Sequence, residues 1–502
     1  MAAGGGGGDE LKLLGLWASP YVLRAKFALS FKGLSYENVE EDLHNKSELL
    51  LSSNPVHKKV PVLIHNGKPI CESQIIVEYV DEAFPDAGVS LLPSDPYDRA
   101  VARFWAAYIN DKFMPAWQKA SLGLTEEEKA EAVKQMLAAI ENLETAFKEL
   151  SRGKPFFGGD TAGYLDVTLG TVVGWARAGE VLFGRKLFDA TRSPLLAAWM
   201  ERFVALDAVK AVLPDNAELI EYGKMRMAHY AKLAAALAAA NKKRNTHTHK
   251  HRHIVSIGGT GEMAGAGRDE LKLLGMWASP YVSRAKLALQ LKGVSYEYIE
   301  EDLGNKSDLF LRSNPVHKTV PVLIHNGNPI CESSIIVQYI DESFPSSAAS
   351  LLPADPYDRT VARFWAAYID DKLAAPWRMV YRVKTEEERD ELMKQTLAAV
   401  DVLEGGLKEC SKGKGCFFGG DSVGYVDVVL GGLVSWVHAS DKLSGAKLFD
   451  AAKAPLLAAW LGRFGELDAA KAVLQDVDKV VEYTKKFQPR DSGTAADRQA
   501  VN

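Results

Sequence analysis

Ser19 and Ser279 occupy the same kind of joint, between a short apolar run and a stretch with helical spacing, in LKLLGLWASPYV from Leu11 and LKLLGMWASPYV from Leu271. Leu11, Leu13, Leu14, Leu16 and Trp17 read as a strand, and Val22, Ala25 and Leu29 as the buried face of a helix. Serine is a favoured N-cap, proline suits the first helical position, and Gly33 is a natural stop. The hydroxyl therefore lies at the positive end of a helix, where a donor and the helix dipole together stabilise an anionic atom. A Ser-Pro helix start alone is far more often a plain cap than a reactive group, so neighbouring chemistry has to decide.

Several other residues carry chemistry only in company. Lys46 in NKS and Lys59 in HKK read singly as solvated surface lysines, and Glu72-Ser73 as an ordinary helix start. Cys71 and Cys331 fall at equivalent places in two repeats, which leaves no disulfide framework among four cysteines and fits a reducing, cytosolic location. His247, His249, His251 and His253 alternate, and an extended strand would put four imidazoles on one side. No carboxylate or thiolate accompanies them, so a His-rich linker without metal is expected.

A chain of 502 residues exceeds one ordinary core, so at least two domains are required. Forty-seven per cent hydrophobic and 25% charged residues make a normal globular composition. A formal net charge of -5 gives no general attraction to nucleic acid or anionic membrane. MAAGGGGGDE has neither a basic region nor an apolar core, so no secretory or transit signal is expected, and no apolar run is long enough to span a bilayer.

The chain repeats itself. NPVHKKVPVLIHNGKPICES at Asn54 returns as NPVHKTVPVLIHNGNPICES at Asn314, a shift of 260 (314 minus 54), and PYDRAVARFWAAYI at Pro96 returns as PYDRTVARFWAAYI at Pro356. After one inserted residue near Gly415 the shift becomes 261, taking FFGGD at Phe156 to Phe417. These are two copies of one large unit rather than a solenoid of short repeats. Residues 241–268 between them have no apolar period and read as a linker.

Within one copy, Ser35 to Glu40 suits a second strand, and Val60–His65, Asn66-Gly67 and Lys68–Cys71 suit a hairpin with a type I′ turn. A helix follows from Glu72 or Ser73, with Ile75, Ile76, Tyr79, Val80 and Ala83 on one face. The order β-α-β-α-β-β-α then gives way to helical spacing alone, at Val101, Phe104, Trp105, Tyr108 and Ile109 and again at Val133, Leu137, Ile140 and Phe147. Thr125 with Glu128, and Thr385 with Glu388, form capping boxes, and Pro194 starts a helix carrying Leu196, Trp199 and Phe203.

With WASPYV, NPVHKKVPVL and the Glu-Ser pair set in an α/β unit followed by a helical domain, the sequence resembles the cytosolic glutathione transferases, the plant tau class above all. The resemblance covers nearly all of both copies. It implies an α/β thioredoxin-like N-terminal domain plus an all-α C-terminal domain, present twice in tandem: residues 9–88 and 95–240, the 241–268 linker, residues 269–348 and 355–488, and a disordered tail at 489–502.

The resemblance also implies roles. Ser19 and Ser279 match the serine that holds the glutathione thiolate. Lys46, Lys306 and Lys59 match lysines that reach its glycine carboxylate; Thr319 replaces Lys59 in the second copy, implying a weaker hold there. Val60 and Val320 match the residue whose main chain pairs with the cysteinyl part, before a proline that is cis in the family although sequence statistics alone favour trans. Glu72 with Ser73, and Glu332 with Ser333, match the pair at the γ-glutamyl end. Asp166 and Asp427 match a structural aspartate rather than a catalytic acid. Phe113, Trp117 and Trp175, and Leu373, Trp377 and Trp436, are the expected apolar walls of the second-substrate site.

The implied activity is conjugation of glutathione to hydrophobic electrophiles, in detoxification and stress response, with peroxide reduction as a side activity and a carrier of apolar ligands as the alternative. No cofactor or metal is needed, since glutathione is a co-substrate. Family members usually dimerise, here within the chain or between chains. FMPAWQKASL at Phe113 becomes LAAPWRMVYR while the glutathione motifs barely change, so two electrophile preferences with one shared thiol are expected.

Overall fold

The computed structural model describes residues 9–242, 270–345, 350–413 and 415–486. The histidine-rich stretch, most of the expected linker and the expected tail lie outside the described residues. Contacts divide the chain into two compact units, Met1–Gly259 and Thr260–Asn502.

The first unit begins with β1 (Leu11–Gly15), α1 (Pro20–Phe31), β2 (Glu37–Glu40), α2 (Glu48–Ser53), β3 (Val62–His65), β4 (Lys68–Cys71) and α3 (Ser73–Ala83). The sheet order is β2-β1-β3-β4, with β1 and β2 parallel and the other pairs antiparallel. Asn66 and Gly67 have φ of 50° and 79°, as a type I′ hairpin turn requires. Gly15 ends β1 where a Cβ would stand 2.4 Å from Val22 Cγ1, so its missing side chain lets α1 pack onto the sheet. Val22, Ala25, Phe27, Ala28 and Leu29 of α1 are buried.

Eight helices follow: α4 (Pro96–Tyr108), α5 (Met114–Leu122), α6 (Glu126–Ser151), α7 (Tyr164–Gly170), α8 (Val173–Phe183), α9 (Pro194–Val204), α10 (Asp207–Lys210) and α11 (Asn216–Lys242). A π-helical turn, Ile109–Phe113, joins α4 to α5. Lys32 Nζ reaches Asp81 Oδ1 at 2.8 Å, and both side chains are almost fully buried. The Asp81 carboxylate also accepts the Leu91 and Leu92 N–H groups at 2.8 and 2.9 Å, fastening the segment between the two domains to α3. Asp166 is completely buried and accepts from the N–H groups of Phe157, Gly158 and Gly163 at 3.0, 2.9 and 2.8 Å and from Trp199 Nε1 at 2.7 Å. It closes the α7 start onto α9.

The second unit repeats this plan with β5 (Leu271–Gly275), α12 (Pro280–Leu291), β6 (Glu297–Glu300), α13 (Asp308–Ser313), β7 (Val322–His325), β8 (Asn328–Cys331) and α14 (Ser333–Ser343). Its helical part holds α15 (Pro356–Tyr368), α16 (Ala375–Val380), α17 (Glu386–Cys410), α18 (Tyr425–Gly431), α19 (Val434–Ser444), α20 (Pro455–Gly465), α21 (Asp468–Val473) and α22 (Val477–Lys485). Its sheet order is β6-β5-β7-β8. No helix among the described residues is long and apolar enough to cross a membrane.

The Val60–Pro61 and Val320–Pro321 bonds are cis, as the family resemblance implies and against sequence statistics alone. The structure departs from the sequence expectations in three places. β3 starts at Val62, two residues later than expected. Val101, Phe104 and Trp105 are only half-buried, while Ala102, Arg103 and Ala106 face inward. Val133 and Leu137 on α6 border a cavity instead of filling the core.

Candidate active site

The sheet register gathers the expected glutathione residues at one end. Leu14 pairs with Val62, and Val62 with Cys71, while Gly15 pairs with Glu40. The loops that leave these positions carry Ser19, Val60, Glu72 and Lys46, so all four open on the same edge.

Ser19 is the N-cap of α1, with extended backbone angles of -78° and 123°, and its Oγ accepts a long 3.4 Å bond from Val22 N. The Ser279 Oγ does the same for Val282 N at 3.3 Å. As an acceptor the oxygen supports the helix; its own proton donates to no group among the described residues. The loop holding it is tied on both sides. Trp17 N donates to Glu40 Oε1 at 2.8 Å, and Trp175 Nε1 to the Ala18 carbonyl at 2.9 Å. Glu300 and Trp436 make the same two ties in the second copy, at 2.8 and 2.9 Å.

Lys46 sits in a loop clamped by buried Glu41, which takes the Ser47 hydroxyl at 2.6 Å while Ser47 caps α2 through Leu50 N at 3.0 Å. Lys46 and Lys306 are half-buried and make no ion pair among the described residues. Lys59 and its counterpart Thr319 are exposed. Behind them, Asn54 Nδ2 donates to the Lys59 carbonyl and Asn314 Nδ2 to the Thr319 carbonyl, each at 2.9 Å.

Glu72 and Glu332 take φ of 70° and 71°, a left-handed conformation that costs a non-glycine residue about 1–3 kcal/mol and that clusters at functional sites. Neither side chain makes a capping hydrogen bond to the helix that it precedes. His57 Nε2 lies 3.8 Å from Glu72 Oε1. Ser73 is buried and accepts from Arg24 at 2.9 Å; Ser333 accepts from Arg284 at 3.3 Å.

Those two arginines escaped the sequence reading. Each is completely buried. In the second copy Arg284 meets Asp370 at 2.6 Å and donates to the Val429 carbonyl at 2.8 Å. In the first, Asn110 replaces Asp370, Arg24 reaches its Oδ1 at 3.4 Å, and Nε and one terminal nitrogen have no partner among the described residues. Burial lowers the pKa of Arg24, opposed by the field of Tyr164, Tyr21 and Glu72. The available signal was an arginine kept in both copies beside a position that changes from Leu23 to Ser283.

Of the expected second-substrate residues, Trp117 and Trp175 border a cavity of about 670 Å³ between α5, α6, α8 and α11. Phe113 is fully buried and lies away from its lining. In the second copy Leu373 and Trp377 are buried, and Trp436 is half-buried. The four cysteines are free, and no cluster of possible metal ligands occurs among the described residues.

Two family models match in tandem: the glutathione S-transferase N-terminal domain over residues 9–82 and 269–342, and its C-terminal domain over 126–202 and 386–463. A probable glutathione S-transferase GSTU6 of Oryza sativa subsp. japonica is 58% identical over 221 residues, 43% of this chain and 94% of the relative. Glutathione S-transferase U18 of Arabidopsis thaliana is 50% identical over 216 residues, 43% of this chain and 95% of the relative. The solved tau-class glutathione S-transferase of mango, Mangifera indica, is 50% identical, with 43% of this chain and 98% of the mango chain covered and a TM-score of 0.41. The chain belongs to the glutathione S-transferase family and carries two tau-class copies in tandem.

Proposed function

We propose that each copy is a complete conjugating site in which Ser19 or Ser279 holds the sulfur of glutathione as a thiolate that attacks a hydrophobic electrophile. A free thiol with a pKa near 8.5 is only a few per cent ionised at neutral pH, and lowering it by about two units stabilises the anion by roughly 2.7 kcal/mol. A helix N-terminus supplies about 0.3–2 kcal/mol and a hydrogen bond to a charged acceptor about 1.5–3, which suffices without histidine or metal. The sulfur forms a bond to the electrophilic carbon, the leaving group departs with its electron pair, and the thiol proton passes to water. Lys46, Lys59, Lys306, Glu72-Ser73, Glu332-Ser333 and the Val60 and Val320 peptides hold the tripeptide so that this attack is effectively intramolecular.

The observation that carries this reading is the unspent hydroxyl proton at two tied helix starts. The cavity beside Trp117 and Trp175, with Met136, Leu137, Ile140 and Phe183 on its walls and a charged rim that includes Glu180 and Arg226, supports the electrophile class. Four unpaired cysteines fit the cytosol, and half-buried Val101 and Phe104 on α4 support a dimeric assembly. Native mass reads the latter directly: a particle heavier than 54.9 kDa means pairing between chains.

The test is conjugation of glutathione to an aryl halide by the full chain with Ser19→Ala, Ser279→Ala or both. Rate rises with pH as the bound thiol ionises, so a lowered pKa brings that rise to lower pH. Removing both hydroxyls leaves the helix N-termini in place, so it is expected to cut the rate at pH 7 by about four- to twenty-five-fold and to move the rise to higher pH by about one to two units. An unchanged rate and profile in the double variant overturns the reading and leaves a carrier of apolar ligands in its place.

A further inference from the structure

The two copies differ at two residues that face each other from opposite walls of one cavity. In the first copy Ser121 on α5 and Gly179 on α8 both border the 670 Å³ cavity, beside Pro20, which follows Ser19. Ser121 turns its hydroxyl back to the Trp117 carbonyl at 3.3 Å. Gly179 adds nothing to the other wall, and a Cβ built there would meet only the Phe183 ring, at 3.6 Å. The space is real room for a ligand, within the range that holds drug-sized molecules.

The shifts of 260 and 261 residues carry these positions to Tyr381 (121 plus 260) and Ser440 (179 plus 261). In the second copy the Tyr381 hydroxyl and Ser440 Oγ lie 2.6 Å apart, a hydrogen bond from wall to wall, and Ser440 is buried. The next residue tightens the same end of α19: Asp441 accepts from Leu448 N at 2.8 Å and lies 3.4 Å from Lys447 Nζ, folding the following loop against the helix. Its counterpart Glu180 is exposed, with Lys186 3.9 Å away. Arg226 and Met227 of α11 reach the cavity in the first copy.

We infer that the Tyr381–Ser440 pair is a size gate, so that the first copy conjugates multi-ring apolar electrophiles and the second is confined to single-ring or smaller ones. The inference rests on the conjugation reading and adds which copy takes which class, and through which residues. A phenol ring pinned across the cleft excludes a second fused ring by steric overlap, while Ser121 and Gly179 leave that volume to the substrate.

Two electrophiles with one reacting group test it: benzyl isothiocyanate and 9-anthracenylmethyl isothiocyanate. In both, glutathione sulfur bonds to the central carbon, the C=N electron pair moves to nitrogen, and nitrogen takes a proton from water. In the full chain, Ser279→Ala reports the first copy and Ser19→Ala the second. The ratio of kcat/KM for the large over the small compound is expected to be about tenfold higher for the first copy, as shape exclusion in an apolar pocket provides. Tyr381→Ser with Ser440→Gly in the Ser19→Ala chain raises the ratio about fivefold, and Ser121→Tyr with Gly179→Ser in the Ser279→Ala chain lowers it comparably. Equal ratios from the two single-site chains, or ratios that the exchanges leave in place, overturn the gate.

An unreactive probe separates this failure from failure of the thiolate reading. Fluorescence titration of the otherwise unaltered chain with 9-anthracenemethanol is expected to give one tight site per chain, rising to two with Tyr381→Ser and Ser440→Gly. Two sites before the exchange, or one after it, count against the gate whatever the serines do.

Discussion

The indole Nε1 of Trp175 donates to the backbone carbonyl of Ala18 at 2.9 Å, across 157 residues of sequence, and so the helical domain holds the peptide that precedes Ser19. Trp175→Phe keeps most of the ring and deletes that bond, which is worth about 1 kcal/mol. With the second copy silenced by Ser279→Ala, kcat/KM for glutathione is expected to fall about fivefold while the thermal midpoint moves by only a few degrees. Steady-state kinetics alongside a melting curve measures both, and Trp436→Phe in the Ser19→Ala chain repeats the effect.

A buried guanidinium short of partners is an opportunity for repair. Among the described residues Arg24 has only Ser73 and Asn110 as hydrogen-bond acceptors, whereas Arg284 has a carboxylate at 2.6 Å. Asn110→Asp is therefore expected to stabilise the first unit by roughly 1–3 kcal/mol, and Asp370→Asn to destabilise the second by a similar or larger amount. Calorimetry of the two variants reads opposite shifts, in different transitions if the units melt separately.

Four donors converge on Asp166, two on each oxygen. Burial pushes this carboxyl up, and the backbone donors of Gly163, Gly158 and Phe157 together with Trp199 pull it down. Asp166→Asn replaces one acceptor by an NH₂ that faces donors, leaving two N–H groups unsatisfied at about 1–3 kcal/mol each. Urea denaturation should show a loss of at least about 2 kcal/mol, with Asp427→Asn equivalent in the second unit.

Three of the thiols are shielded by protonation. Burial first, and the adjacent Glu72, Glu332 or Glu409 carboxylate next, push Cys71, Cys331 and Cys410 up to about 12. A raised pKa keeps the thiol neutral below it, so at pH 8 roughly one part in ten thousand is thiolate. Cys416 is exposed. Iodoacetamide at pH 8 is expected to label Cys416 in the native protein and the other three only after unfolding, read by peptide mass spectrometry.

Local chemistry is what the sequence displays best. The Ser19 cap, the Asn66-Gly67 turn and the Thr125 cap each rest on residues a few positions apart, and each is present. The Arg24 contacts to Ser73 and Asn110 span 49 and 86 residues, and no periodicity reports them. Val133 and Leu137 have the spacing of core residues because a cavity wall and a core are equally apolar; only the packing of α5, α8 and α11 decides which one they line. The π-helical turn at Ile109–Phe113 is likewise invisible, since its residues keep ordinary helical dihedrals at both ends.

Asn54 and Asn314 grip the carbonyls of Lys59 and Thr319 with the same 2.9 Å bond and accept from the N–H of His57 and His317 at 3.0 and 3.1 Å. The bend of that loop is thus set by a residue five places upstream and is indifferent to what projects from its crest. Lysine or threonine can be exchanged there like a tool in a socket, which makes the crest a place where surface charge changes without renegotiating how the domain folds.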